Sequence, residues 1–241
     1  MMKFLRTMSA SLSLPAFALA GACLSSSALP PPAFSEPAEK SITQVVEEQG
    51  KAVLVISNLG FGDSQQGVGS GFIIRPDGVV LTNYHVIEHA QAVTVKLPDG
   101  REFRAQGVLG SDPELDVAVL KIEATGLPTI SLGDSDQVKV GQRVIAIGNP
   151  LGMLEYTVSD GIISAIRLDD APEAKMKKLL QITAPISQGS SGGPLIDLTG
   201  KVIGITAAIS MQGQNLNFAI PINVTKPLIK DGPVLAFSEV K

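Results

Sequence analysis

The chain has 241 residues, 44% of them hydrophobic and 17% charged, which supplies material for a packed core and excludes a disordered polymer. Its formal net charge of −4 offers no basic surface for nucleic acid, and its single cysteine cannot close an internal disulfide. With no Trp and only two Tyr, the core must be built from Val, Ile, Leu and Ala.

The first element is a leader. Lys3 and Arg6 precede an apolar, small-residue run over 10–22 that is too short to span a bilayer, and Ala20-Gly21-Ala22 fits a small-residue cleavage site. Residues 1–22 therefore read as a signal peptide and the chain as exported, periplasmic or cell-envelope. Cys23 directly follows the site, as in a bacterial lipoprotein signal, although Ala20 stands where a larger aliphatic residue is usual. A lipid anchor on Cys23 and a soluble exported chain are the two alternatives. Residues 23–40, rich in Ser, Ala and Pro, read as a disordered linker.

From 41 to 50 the spacing of Ile42, Val45 and Val46 predicts a short helix, with Ser41 as cap and Gly50 at its end. Short β-branched runs follow at 52–57, 70–74, 79–83, 92–96, 102–109 and 117–122. A second set lies at 144–147, 156–159, 161–166, 180–183, 194–197, 202–208 and 217–220. Turn signals such as Pro76-Asp77-Gly78, Pro98-Asp99-Gly100 and Leu198-Thr199-Gly200 separate them. Many short strands at near-regular spacing predict an all-β fold, a barrel or sandwich rather than βα units. The folded region is expected over 41–232, in halves of about 41–128 and 129–232 joined through 125–133, with a C-terminal tail at 233–241.

Three segments carry chemistry. Thr82-Asn83-Tyr84-His85-Val86 supplies a base, Asp116-Val117-Ala118-Val119-Leu120 a carboxylate, and Gly189-Ser190-Ser191-Gly192-Gly193-Pro194-Leu195 a nucleophile. A serine hydroxyl needs an imidazole to take its proton, and the imidazole needs a carboxylate to hold its tautomer. Asp116 starts a hydrophobic strand, where only a partner justifies its charge; Asp112, in an Asp-Pro turn, is expected to shape the loop. Ser187 and Ser190 compete with Ser191, but only Ser191 has Gly at −2 and +1. Gly189, Ser190 and Ser191 are the candidate oxyanion-hole residues, with the N–H groups of Gly189 and Ser191 aimed at one oxygen. The histidine half and the serine half would meet across a cleft between two barrels.

Competing patterns are weaker. Gly189-Ser190-Ser191-Gly192-Gly193 also fits the α/β-hydrolase G-x-S-x-G, but there the histidine follows the serine, and both histidines here precede it. His85-Val86-Ile87-Glu88-His89 fits the zinc spacing H-x-x-E-H, which requires a long helix where strand patterns flank this one. Gly67-Val68-Gly69-Ser70-Gly71 has phosphate-loop glycines but no following helix, so a hairpin or close backbone approach is expected. No cofactor or metal is called for.

At these residues the chain resembles the trypsin-like HtrA/Deg family of serine proteases. Gly69-Ser70-Gly71-Phe72-Ile73-Ile74, the His85, Asp116 and Ser191 segments, 141–152, Val202-Ile203-Gly204-Ile205 and Asn217-Phe218-Ala219-Ile220-Pro221 carry the likeness. The resemblance implies two six-stranded antiparallel β-barrels, serine endopeptidase activity through an acyl-enzyme, and unfolded or misfolded exported proteins as substrates. His85, Asp116 and Ser191 inherit the roles of base, orienter and nucleophile. The pocket for the residue before the scissile bond would be lined by Pro185 and Ile186 on one side and Ala207, Ala208 and Ile209 on the other. With no acid in either segment, cleavage after small aliphatic residues is expected, with Asp160 and Asp197 the nearest carboxylates. Too few residues follow Lys230 for the PDZ domain that family members carry, so no such domain is expected. The segment 167–178, acidic and then basic, departs from the family, and the aromatic contacts of its trimers are not evident near Ser41, which leaves homo-oligomerisation open. A chaperone-like binding module with a collapsed oxyanion hole is the alternative function.

Overall fold

The computed structural model describes residues 38–149, 157–168, 178–207 and 216–240; the expected signal peptide, nearly all of the linker and Cys23 lie outside them. Helix α1 (Ile42–Gln49) starts on a capping box: the Ser41 hydroxyl accepts from the Gln44 N–H, and the Gln44 side chain accepts from the Ser41 N–H. At its end Gly50 keeps a helical φ of −58° and leads into a 3-10 turn through Ala52, so this glycine extends the coil rather than reversing it.

Strands β1 (Val53–Leu59), β2 (Gln65–Arg75), β3 (Val79–Thr82), β4 (Ala92–Lys96), β5 (Glu102–Asp112) and β6 (Val117–Ile122) close a barrel in the order β1-β2-β3-β6-β5-β4. A second barrel contains β7 (Arg143–Gly148), β8 (Thr157–Leu168), β9 (Lys178–Ile182), β10 (Pro194–Asp197), β11 (Val202–Ala207) and β12 (Asn217–Pro221). It closes in the order β7-β8-β9-β12-β11-β10, which is the connectivity of the first barrel repeated. The all-β fold of two six-stranded antiparallel barrels is therefore present.

Two local expectations change. The runs at 156–159 and 161–166 form one strand, β8, in which Asp160 and Gly161 pair without a break with Ile145 and Val144. Gly161 marks a close approach rather than a turn, since a Cβ there would lie 2.3 Å from the Ala184 nitrogen. The connection between barrels runs from β6 to β7, longer than the 125–133 expected, and is held by bonds such as Ile130 N–H to Ile73 O (3.0 Å) and Val202 N–H to Ser131 O (2.9 Å).

Three apolar clusters explain why so many strands read as unbroken hydrophobic runs. One fills the first barrel (Leu54, Ile73, Val80, Leu120) and one the second (Val144, Ile163, Leu180, Leu195). The third lies between them and takes alternate residues of the same strands, among them Val79, Leu81, Val119, Ile145, Ile147 and Ile205. A strand at this seam is buried on both faces, one toward its own barrel and one toward the other. The ends of the described region cross the seam: Lys40 N–H donates to Leu198 O of the second barrel (2.7 Å), while Leu235, in the stretch expected as a tail, exchanges backbone bonds with Val108 of the first. Gly161→Ala is expected to destabilise the fold by about 1–3 kcal/mol through overpacking against backbone, measured as a lowered midpoint in urea denaturation.

Candidate active site

His85 lies on α2 (Tyr84–Ile87), a single turn that follows β3. Asn58 of β1, almost fully buried, fastens the end of that turn: its Nδ2 donates to the carbonyls of Val86 (3.2 Å) and Glu88 (3.0 Å). Glu88 leaves the helix with ψ of 135°, and His89, at φ +59°, points its side chain into solvent. The H-x-x-E-H spacing thus lies on no common helix.

Asp112 shapes the β5–β6 turn as expected, its Oδ1 accepting from the N–H groups of Glu114 (2.9 Å) and Leu115 (3.0 Å). That turn delivers Asp116 with φ +53°, a left-handed conformation unusual outside glycine. Its Oδ1 accepts from the His85 backbone N–H at 2.9 Å, and its two oxygens lie 3.0 and 2.8 Å from His85 Nδ1. One carboxylate therefore fixes both the backbone and the ring of the same histidine, which orients Nε2 as the ring nitrogen left for a substrate-side proton.

Ser191 sits between β9 and β10, the position in the second barrel that His85 occupies in the first, after the third strand. Ser190 N–H donates to Ser187 O (3.0 Å) and Gly189 has φ +91°, which makes 187–190 a type II turn with glycine at its third position. Of the candidate oxyanion-hole residues, Ser190 has its N–H engaged inside the turn, whereas the Gly189 N–H has no partner among the described residues. Thr206 supports the turn from below, its hydroxyl donating to Ser190 O (2.7 Å) and its carbonyl accepting from Gly192 N–H (2.8 Å).

Ser70, fully buried in β2, stands in the sequence within a glycine-rich stretch and one of the segments that carry the family likeness, but not among the candidate site residues. Its N–H donates to Ser191 O (2.8 Å), its Oγ donates to Gly189 O (2.7 Å) and accepts from Asn149 N–H (2.8 Å). It ties the segment carrying Ser191 in one barrel to a strand of the other across a separation of 119 residues in sequence. The glycines on either side of it and its place in a family-like segment are the signals the sequence offers for it.

His85, Gly189 and Ser191 line one open cavity of about 810 Å³ together with Asn58, Glu88 and Phe61. Pro185 and Ile186 line a separate cavity of about 30 Å³ with Ala146, Ser187, Ser190 and Thr206. Ala207 is buried within β11 opposite Phe218, and Ala208 and Ile209 lie outside the described residues. Neither Asp160, which pairs with Arg143 at 3.3 Å, nor Asp197, which caps its own turn at Thr199 N–H (2.9 Å), borders the smaller cavity.

The profile of the trypsin-like peptidase domain matches residues 69–205, more than half of the chain. This chain belongs to the trypsin-like serine proteases of the HtrA/Deg family. It is 47% identical over 168 residues to a probable periplasmic serine endoprotease, DegP-like, of Halomonas elongata, covering 68% of this chain and 35% of that protein. It is 46% identical over 175 residues to a putative serine protease HhoB of Synechocystis, covering 70% and 42%. It thus spans well under half of the curated relatives it matches. Among solved structures, the HtrA-type protease AlgW with a tripeptide aligns at TM-score 0.70 and 39% identity, over 78% of this chain and 62% of that one. The serine endoprotease from Yersinia pestis aligns at TM-score 0.68 and 36% identity, over 81% and 69%.

Removing the Ser70 hydroxyl leaves Gly189 O and Asn149 N–H without their partner. In this HtrA-type chain Ser70→Ala is therefore expected to slow fluorophosphonate labelling of Ser191 by about 10- to 100-fold, less than the loss of an oxyanion donor outright. The folded state is expected to persist, which circular dichroism of the labelled sample checks.

Proposed function

We propose that the chain is an exported serine endopeptidase that cleaves extended, unfolded polypeptides, with Ser191 as nucleophile, His85 as base and acid, and Asp116 as orienter. The carrying observation is the double engagement of His85 by Asp116, in the same cavity as Ser191 and Gly189. His85 Nε2 takes the Ser191 hydroxyl proton as Oγ bonds to the scissile carbonyl carbon, and the Gly189 and Ser191 N–H groups receive the oxyanion. His85 then gives that proton to the leaving nitrogen, the C–N bond breaks and an acyl-enzyme remains. Water, deprotonated by His85, bonds to the acyl carbon, the ester bond to Ser191 Oγ breaks, and His85 returns the proton to Oγ as the carboxylic product leaves.

Because His85 protonates the leaving amine, the large cavity bordered by the residues after His85 takes the chain beyond the scissile bond. The small, uncharged surroundings of Pro185 and Ile186, where Ala146 and Ile147 stand beside hydroxyls such as Ser187 and Thr206 and no carboxylate borders the space, suit Val, Ala, Ile, Leu or Thr before it, since a buried unpaired cation is costly there. The relatives named periplasmic support the same compartment for this chain.

Ser191→Ala, His85→Ala and Asp116→Asn are each expected to abolish nearly all hydrolysis of an unfolded model protein, without multiplying when combined, because they act as one unit. Hydrolysis is expected to persist in EDTA, since none of these steps uses a metal. Sequencing the fragments tests specificity: a majority of cuts after Lys or Arg would overturn it.

A further inference from the structure

We propose that Asn83 is a positioning residue of this peptidase, whose buried amide sets the backbone of Asp116 so that one carboxylate can hold both the main chain and the ring of His85. The proposal rests on the triad reading above.

Asn83 occupies the N-cap of α2, with φ −77° and ψ 150°. An asparagine there ordinarily accepts, through its side-chain oxygen, from the N–H of the second or third helical residue. Asn83 makes no such bond. The second helical residue is His85, and its N–H goes instead to Asp116 Oδ1 at 2.9 Å. In exchange, Asn83 Nδ2 donates to the Asp116 carbonyl at 2.8 Å. The two residues have traded partners: the aspartate side chain caps the helix, and the asparagine side chain holds the aspartate backbone.

That backbone needs holding. Asp116 has φ +53°, and its own N–H reaches Pro113 O only at 3.3 Å. The Asn83 amide is the side-chain bond that fixes its peptide plane, and the plane sets where the carboxylate points. Asn83 is fully buried, and its Oδ1 has no partner among the described residues. An orphaned buried acceptor lowers stability, so a purely structural role gives no reason to keep an amide here. Among the described residues, Glu88 and His89 border the cavity with the imidazole, and Asp112 and Glu114 lie on the turn carrying Asp116; changing Asn83 alters none of these charges.

Asn83→Ser tests this, because serine is as good an N-cap but too short to reach the Asp116 carbonyl. Melting temperature is expected to hold, kcat to fall by about 10- to 100-fold with KM unchanged, and the acid midpoint of kcat/KM to move to lower pH as the carboxylate loosens from the imidazole. The downfield Nδ1–H proton signal of His85 is expected to weaken in Asn83→Ser and to remain in Ser191→Ala. Should Asn83→Ser not fold, Asn83→Ala with the same measurements replaces it. Unchanged kcat and midpoint, or a loss of activity that tracks melting temperature with the midpoint fixed, would overturn the proposal. If the parent chain shows no Ser191-dependent hydrolysis, the triad reading fails, and the Nδ1–H signal alone still decides the role of Asn83.

Discussion

The seam between the barrels is the constraint on which the rest depends. His85 and Ser191, the proposed base and nucleophile, come from different barrels, so a shift of a fraction of an ångström between them would separate the two side chains. An apolar interface resists separation but is weak at setting register, because apolar contacts have little direction. The direction comes from Ser70, whose N–H and hydroxyl meet the carbonyls of Ser191 and Gly189. Val79, Leu81, Ile145 and Ile205 press the barrels together, and Ser70 says where.

On the histidine side the same division holds. The β-barrel supplies rigid strands, but His85 sits on a single helical turn too short to be stable alone. Asn58 fastens the end of that turn and Asp116 its beginning, both through hydrogen bonds from outside the helix. The functional groups thus stand on the least regular parts of the chain, each pinned by a buried polar side chain from a neighbouring strand or loop.

Much of this was legible in the sequence. The strands at the seam announce themselves as Val-Val-Leu and Val-Ala-Val-Leu, since burial on both faces removes any polar alternation. The candidate residues that the fold brings to one cavity stood out because each has a distinctive neighbourhood: glycines around Ser191, a hydrophobic strand after Asp116. The extent of β8 was not, because glycine in a strand reads as a break, and only the fold shows Ala184 approaching Gly161 too closely for a side chain. Ser70, Asn58 and Asn83 were also missed as site residues. Each makes its decisive bond to a group 28 or more residues away, to Gly189, Val86 and Asp116 respectively, and no local pattern encodes such a partner. The portion of the specificity wall at Ala208 and Ile209 lies outside the described residues.

The crossing of these ends of the described region has a consequence for how the molecule could be divided. The N-terminal arm, with Lys40 bonded at Leu198, belongs to the half bearing His85 and Asp116 but lies against the other barrel. The C-terminal arm, with Leu235 paired to Val108 and Phe237 packed on the first barrel's core, belongs to the half bearing Ser191. Each half carries a clasp that fits only its complement. Severed in the connection between β6 and β7, the polypeptide would yield two fragments, neither holding all of His85, Asp116 and Ser191, that recognise one another through exchanged arms as well as through the apolar face. The architecture is that of a split enzyme whose halves happen to be covalently joined.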